Sequence, residues 1–218
     1  MKPILGALVV AVAMTACSAT PAPEPARRPE TTAPPSAQSV DEQDIRSKFS
    51  RFVVALNDKN DDALFLCTLD AYAFAESMVQ HAVSSTEDQL AQLPVVHRLQ
   101  VYEMRTTNRP LGVFSESDAL RLLTLASHDL LKPTELSDVK VEEPRASALA
   151  TLPGYAPVRI PFGHGVNGKS WVIDLEALFK ALSDAVELNG LTADQYVDKL
   201  LAERYGARAA ELRKPLKP

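Results

Sequence analysis

Apolar residues return every three or four positions at Ile45, Phe49, Phe52, Val53 and Leu56, the period of a single helix face. Ser39 stands three residues before Glu42, the spacing of a capping box. Together they predict a helix from Val40 to Asn57. The polar run Asn57-Asp58-Lys59-Asn60-Asp61-Asp62 then turns the chain into Ala63-Leu64-Phe65-Leu66-Cys67, which reads as the buried face of a second helix. A further helix is expected over much of Leu69 to Val83. Between Glu87 and Thr106 the pattern fits two periods. Val95, Leu99 and Tyr102 suit a helix starting at Pro94, while the alternation around Leu99 and Val101 tolerates a strand; we take the helix. Ser115-Glu116-Ser117-Asp118 opens another, running through Leu120, Leu123, Leu130 and Leu131 to Pro133.

Beyond Pro133 the period falls to two. Val139 and Val141 alternate with charges, and Ala146 to Leu152, Pro157 to Phe162 and Ser170 to Leu175 follow, with Trp171 and Ile173 on one face. Glu143-Pro144, Pro153-Gly154 and the glycines at 163, 165 and 168 separate these runs, so four short antiparallel strands are predicted. A helix from about Glu176 to Leu188 comes next, with a stop at Asn189-Gly190. A second capping box, Thr192 to Gln195, precedes an apolar stripe at Tyr196, Val197, Leu200, Leu201 and Tyr205. The fold class is therefore α+β, with N-terminal helices packed on a curved antiparallel sheet of about four strands and extra C-terminal helices.

Three motifs invite chemistry and fail on their surroundings. Gly163-His164-Gly165-Val166-Asn167-Gly168 is a literal G-x-G-x-x-G, but a dinucleotide cradle needs a helix directly after it, and Lys169 to Ile173 continues as a strand. The glycines are assigned to a hairpin turn. Asp58 to Asp62 imitates the start of a calcium loop, yet positions six and twelve are Ala63 and Leu69, where glycine and glutamate are required. His81, His97, His128 and His164 show no paired zinc spacing. We assign no cofactor, no metal and no catalytic residue.

The ends of the chain bear on location. Lys2 precedes an apolar run of eleven residues, Ile4 to Met14, which is the plan of a signal peptide and about half the length of a membrane span. Met14-Thr15-Ala16-Cys17 resembles the lipobox of bacterial lipoproteins. That resemblance implies cleavage after Ala16 and a diacylglycerol on Cys17, with anchoring by two or more acyl chains. Residues 1–16 then form the signal peptide and 17–39 a lipidated tether. Its prolines at 21, 23, 25, 29, 34 and 35 and its lack of large apolar residues leave nothing to offset the entropy of folding. As a polyproline-like segment, Ser18 to Ser39 reaches roughly 70 Å. The net charge is -5, the wrong sign for a non-specific nucleic-acid binder. The run Arg204, Arg208, Arg213, Lys214 and Lys217 is locally basic; it could touch anionic lipid or wall polymer, and is read as a solvated helix end. With Cys17 acylated, Cys67 has no partner for a disulfide, and is assigned to the core.

The order of elements and three stretches, an N-terminal helix with a polar Asn-Asp turn and a following cysteine-bearing helix, then SDVKVEEPRASALATL, then GKSWVIDL, resemble the nuclear-transport-factor-2-like (NTF2-like) domains attached to bacterial lipoproteins and membrane proteins. In that family the penultimate strand often carries a turn glycine, a basic residue and a Trp-hydrophobe pair, which here are Gly168, Lys169, Trp171 and Val172. The resemblance spans about residues 40–176 and implies a cone whose sheet wraps the helices. It places the cone-like domain at 40–188 and a helical extension at 189–218. Ser84 to Phe114 is longer than the family pattern, and two helices follow the last strand. Steroid isomerases and small dehydratases of the family place Asp, Tyr or His inside the cone. Asp70, Tyr72, Tyr102 and Asp174 are the candidates by type, but none aligns with those enzymes. We assign the interior of the cone to Cys67, Tyr72, Tyr102 and Trp171. The expectation is a lipid-anchored, extracytoplasmic module that is not an enzyme and binds a partner protein or apolar ligand. The alternatives are a lipid or small-molecule carrier, and an isomerase- or hydrolase-type enzyme. The resemblance also implies pairing of copies through the open sheet faces.

Overall fold

The computed structural model describes residues 39–107 and 115–216. The signal peptide, Cys17, nearly all of the tether, the far end of the Ser84–Phe114 stretch and Lys217 lie outside them. Among the described residues no helix is long and apolar enough to cross a membrane.

Helix α1 (Val40–Asn57) buries the predicted stripe of Ile45, Phe49, Phe52, Val53 and Leu56. Its N-cap Ser39 accepts from Glu42 N at 3.1 Å. The polar turn after it is a capping device: Asn60 Oδ1 accepts from Asp62 N at 3.0 Å, and Asp61 takes the Arg121 guanidinium through two bonds of 2.9 and 2.6 Å. The second helix proves to be a short 3-10 helix, Asp61–Leu66. Cys67 beyond it is extended, because Thr68 N donates to Ile173 O at 2.9 Å and draws the chain alongside a strand. Leu64 and Leu66 are buried while Phe65 between them is 77% exposed. An apolar run with that alternation does not distinguish a helix face from a half-buried edge.

Helices α2 (Asp70–Ser84), α3 (Glu87–Leu90) and α4 (Val95–Arg105) follow, and α4 starts after Pro94, as its period predicts. Helix α5 (Glu116–Ala126) ends earlier than expected. Ser127 Oγ donates to Leu123 O at 2.7 Å, closing the last turn, and Leu131 reaches the core from the following loop.

Strands β1 (Ser137–Glu142), β2 (Arg145–Ala150), β3 (Val158–His164) and β4 (Trp171–Ile173) form one antiparallel meander in the order β1-β2-β3-β4. The core face carries Ala146, Ala148 and Ala150 from β2, Val158, Ile160 and Phe162 from β3, and Ile173, the partner of Phe162. Strand β1 lies almost wholly exposed, with a bulge between Ser137 and Lys140, so its Val139–Val141 alternation marks an edge that protects itself from pairing. The other edge is closed by α1. Asp44 accepts from Trp171 N at 3.0 Å, and Asp41 from the Trp171 indole N–H at 3.2 Å.

Helix α6 (Leu175–Ala185) is shorter than predicted. Its exit pairs with the β2–β3 loop, through Ala156 N to Ala185 O at 2.8 Å and Glu187 N to Gly154 O at 3.0 Å. Helix α7 (Ala193–Tyr205), with the predicted Thr192–Gln195 capping box, and α8 (Ala209–Leu212) lie against α4. Arg98 of α4 meets Asp194 at 2.6 Å and Arg204 of α7 meets Glu103 at 3.0 Å. Arg213 bonds Asp198 and Glu87, so two of the C-terminal basic residues are paired helix clasps.

Candidate binding clefts

The G-x-G-x-x-G stretch is the β3–β4 hairpin. Gly163 and His164 pair with Val172 and Trp171, Gly165 N donates to Ser170 O at 2.9 Å, and Gly168 has φ +64°, the left-handed region that glycine enters without strain. Asn167 Oδ1 holds the tip by accepting from Lys169 N, Ser170 N and Ser170 Oγ. This rigid tip presents Val166, which is 81% exposed.

Val166 stands over a cleft of about 300 Å³ between the hairpin and the 3-10 turn, lined also by Leu64, Phe65, Cys67, Leu69, Tyr72 and Val172. Six large apolar side chains are conspicuously exposed among the described residues: Val40, Val54, Phe65, Leu69, Val141 and Val166. Three of the six, Phe65, Leu69 and Val166, line this one cleft. Scattered apolar residues need no explanation, but a contiguous patch marks an interaction surface.

Of the four side chains assigned to the cone interior, Cys67 and Tyr72 meet here and the other two do not. Trp171 is excluded by strand alternation: Val172 faces the cleft, so its neighbour points the other way, onto the His164 ring at 4.4 Å and the Asp41 carboxylate. Tyr102 is fully buried on α4, 5.8 Å beneath the Arg105 guanidinium, and its hydroxyl has no partner among the described residues. Cys67 is buried and free, its thiol donating to Ala63 O at 3.3 Å. Burial pushes that thiol up to about 12, which leaves almost no thiolate at neutral pH.

A second cleft, of about 360 Å³, forms where the first turns of α2, α4 and α6 meet the start of β2. It is lined by Asp70, Pro94, His97, Arg145, Asp174, Glu176, Ala177 and Lys180. His97 packs edge-on against Phe74 at 5.4 Å and Phe179 at 5.8 Å. Burial, with a smaller effect of the His81 charge, lowers its pKa to about 4, and its Nδ1 is buried without a partner among the described residues. Asp174 caps α6 by accepting from Ala177 N at 3.1 Å. Asp70 and Asp174, noted in sequence as candidates by type, thus come together, joined by His97 and Arg145, which the sequence did not single out as a pair. Among the described residues no three His, Cys, Asp or Glu side chains are grouped to hold a metal ion. Comparison with known proteins gives no match to a family model, a curated protein or a solved structure.

Proposed function

We propose that this chain is a lipid-anchored envelope lipoprotein whose folded region is a non-catalytic binding module, receiving an apolar segment of a partner protein in the Val166–Phe65 cleft. The observation that carries the reading is the gathering of Phe65, Leu69 and Val166 around one cleft, with Val166 held out on a hydrogen-bonded tip. Exposing these side chains on a rigid frame costs water-exposed apolar area, and a partner that covers them recovers it. The cleft lies at the small end of the range for small-molecule pockets and is open, which favours a protruding side chain over an enclosed lipid. Cys67 in its wall makes a poor nucleophile, which speaks against a thiol enzyme. The NTF2-like kinship belongs to the same proposal, supported by the helices-then-meander order on a curved sheet. The lipobox and tether supply the anchor and the reach.

The test is site-specific photo-crosslinking in cells from positions 65 and 166, with position 54 as an exposed apolar control on α1. A discrete adduct is expected from 65 and 166, absent from 54, and lost from 166 when Phe65→Ser is introduced, while the melting temperature stays unchanged because Phe65 is a surface residue. In the same cells Cys17→Ser is expected to move the chain out of the membrane fraction. Equal labelling from position 54, or none from the cleft, overturns the binding reading, and a Cys17→Ser chain that stays with the membrane after its signal peptide has been cleaved overturns the anchor.

A further inference from the structure

The chain holds two Asn-Gly pairs, Asn167-Gly168 and Asn189-Gly190, and both lie exposed. This dipeptide has a chemistry of its own. The glycine nitrogen can attack the asparagine side-chain carbonyl, because the residue that follows has no β-carbon to shield the approach. Sequence makes the two pairs equivalent, and the fold does not. In the β3–β4 tip the attacking nitrogen is engaged, since Gly168 N donates to Gly165 O at 2.8 Å. The Asn167 side chain is engaged as well, its Oδ1 accepting from Lys169 N at 3.0 Å, Ser170 N at 3.2 Å and Ser170 Oγ at 3.1 Å. Asn189-Gly190 lies in the connection from α6 to α7, with φ +51° and +81° and a closing bond from Leu191 N to Leu188 O at 3.0 Å. Positive φ at both central residues is the type I′ turn. Among the described residues it leaves Gly190 N without a partner, and it leaves the Asn189 amide one bond, from Nδ2 to Glu187 O at 3.1 Å.

We propose that Asn189 is a site of spontaneous modification, deamidating in the folded chain with water as co-reactant, while Asn167 is protected. Gly190 N gives its proton to solvent and bonds to Asn189 Cγ. The Cγ–Nδ2 bond breaks, and that nitrogen leaves as ammonia with a proton taken from water. Water then opens the cyclic imide. Attack at the side-chain carbonyl restores the main chain and gives aspartate, whereas attack at the main-chain carbonyl routes the chain through the side chain and gives isoaspartate. Nothing is oxidised or reduced: one amide and one water become one acid and one ammonia. Either product adds a negative charge close to Glu187. Isoaspartate also inserts a methylene into the main chain inside the turn that Leu191 N closes. Asp194, which clasps α7 to Arg98 of α4, follows directly after that turn, so the modification loosens the start of α7. Protection at Asn167 keeps the tip that carries Val166 uncharged.

The experiment is peptide mapping by mass spectrometry of the full-length chain, held folded at neutral and mildly alkaline pH, with a parallel sample held in urea. Conversion of Asn189 is expected in the folded chain, faster at the higher pH because the glycine nitrogen must lose its proton. Asn167 is expected to convert about tenfold or more slowly, since each bond that has to open first costs about 1 kcal/mol. In urea the two rates are expected to converge. Asn189→Gly keeps a residue that enters the left-handed turn without strain, and is expected to abolish the acidic species that isoelectric focusing resolves from the aged parent. Equal conversion at the two positions in the folded chain, or faster conversion at 167, overturns the proposal. So does a folded chain whose Asn189 stays intact over the time in which the urea sample converts, or an Asn189→Gly chain that acidifies as the parent does. A rate ratio in urea as large as in the folded chain overturns it too, because the difference then comes from the flanking residues and not from the fold.

Discussion

Tyr102 shows how one side chain can serve packing and carry a polar cost together. Its ring is fully buried on α4 and its hydroxyl is unpaired, while burial raises its pKa, outweighing the nearby Arg98 charge. A buried hydroxyl without a partner costs about 1–3 kcal/mol. Tyr102→Phe keeps the ring and removes the cost, so it is expected to leave stability unchanged or raise it by about 1 kcal/mol in urea unfolding. A loss of that size would mean the hydroxyl is paired in solution. The structure buries Tyr102 away from the cleft that Cys67 and Tyr72 line. Aromatic periodicity reports that a residue is buried, and it is silent on whether the burial lines a cleft or a helix junction. Trp171 teaches the same at strand spacing: its burial was legible, whereas the Asp41 and Asp44 carboxylates that fix it belong to a distant helix.

Among elements, the C-terminal helices depend on a residue of α4 that pattern reading passes over. Arg105 is 4% exposed and donates to four carbonyls: Ala82 O and Leu212 O at 2.9 Å, His81 O at 3.2 Å and Ser85 O at 2.6 Å. It closes the end of α2 and ties α8 to it. Arg105→Met keeps the aliphatic stem and removes all four bonds at once, with an expected loss of about 3 kcal/mol or more and earlier proteolysis beyond α7. Arg213→Met, which breaks part-exposed pairs to Asp198 and Glu87, is expected to cost under about 1 kcal/mol. Similar losses for the two would show that the carbonyl clasp is not what holds the segment. A lone arginine in a helical period looks like surface, so the clasp was hidden. The helix start at Ser115 and the capping box at Thr192 were legible because their chemistry is local. The 3-10 turn at Asp61–Leu66 was misread because the bond that extends Cys67 comes from β4.

Across the whole molecule, the candidate sites were the least legible feature, because each cleft is assembled from segments far apart in the chain. Asp70, His97, Arg145 and Asp174 share no spacing that a motif could express. What unites them is the meeting of α2, α4 and α6, and that junction also governs how the protein responds to acid. His97 titrates near its ordinary 6.5 when unfolded and at about 4 when folded, beside the Phe74 and Phe179 rings, with Asp70 and Asp174 in the same cleft wall. Between these values the unfolded chain binds a proton that the folded chain refuses, so stability is complete above about pH 6.5 and declines as the pH falls toward 4. Asp129, lowered chiefly by the Lys132 hydrogen bond, acts in the same direction but only near and below 3.8. At the other end burial raises Tyr155 to about 12 from 10.0, so its contribution is complete below about pH 10 and is lost above it. Melting temperatures are therefore expected to be flat from about pH 6.5 to 9 and to fall between 6.5 and 4.5. In His97→Gln, measured against its own value at pH 8, that acid limb is expected to be shallower. Equal acid limbs in the two chains would show that the imidazole is hydrated in solution and that the junction of α2, α4 and α6 is looser than its packed rings indicate.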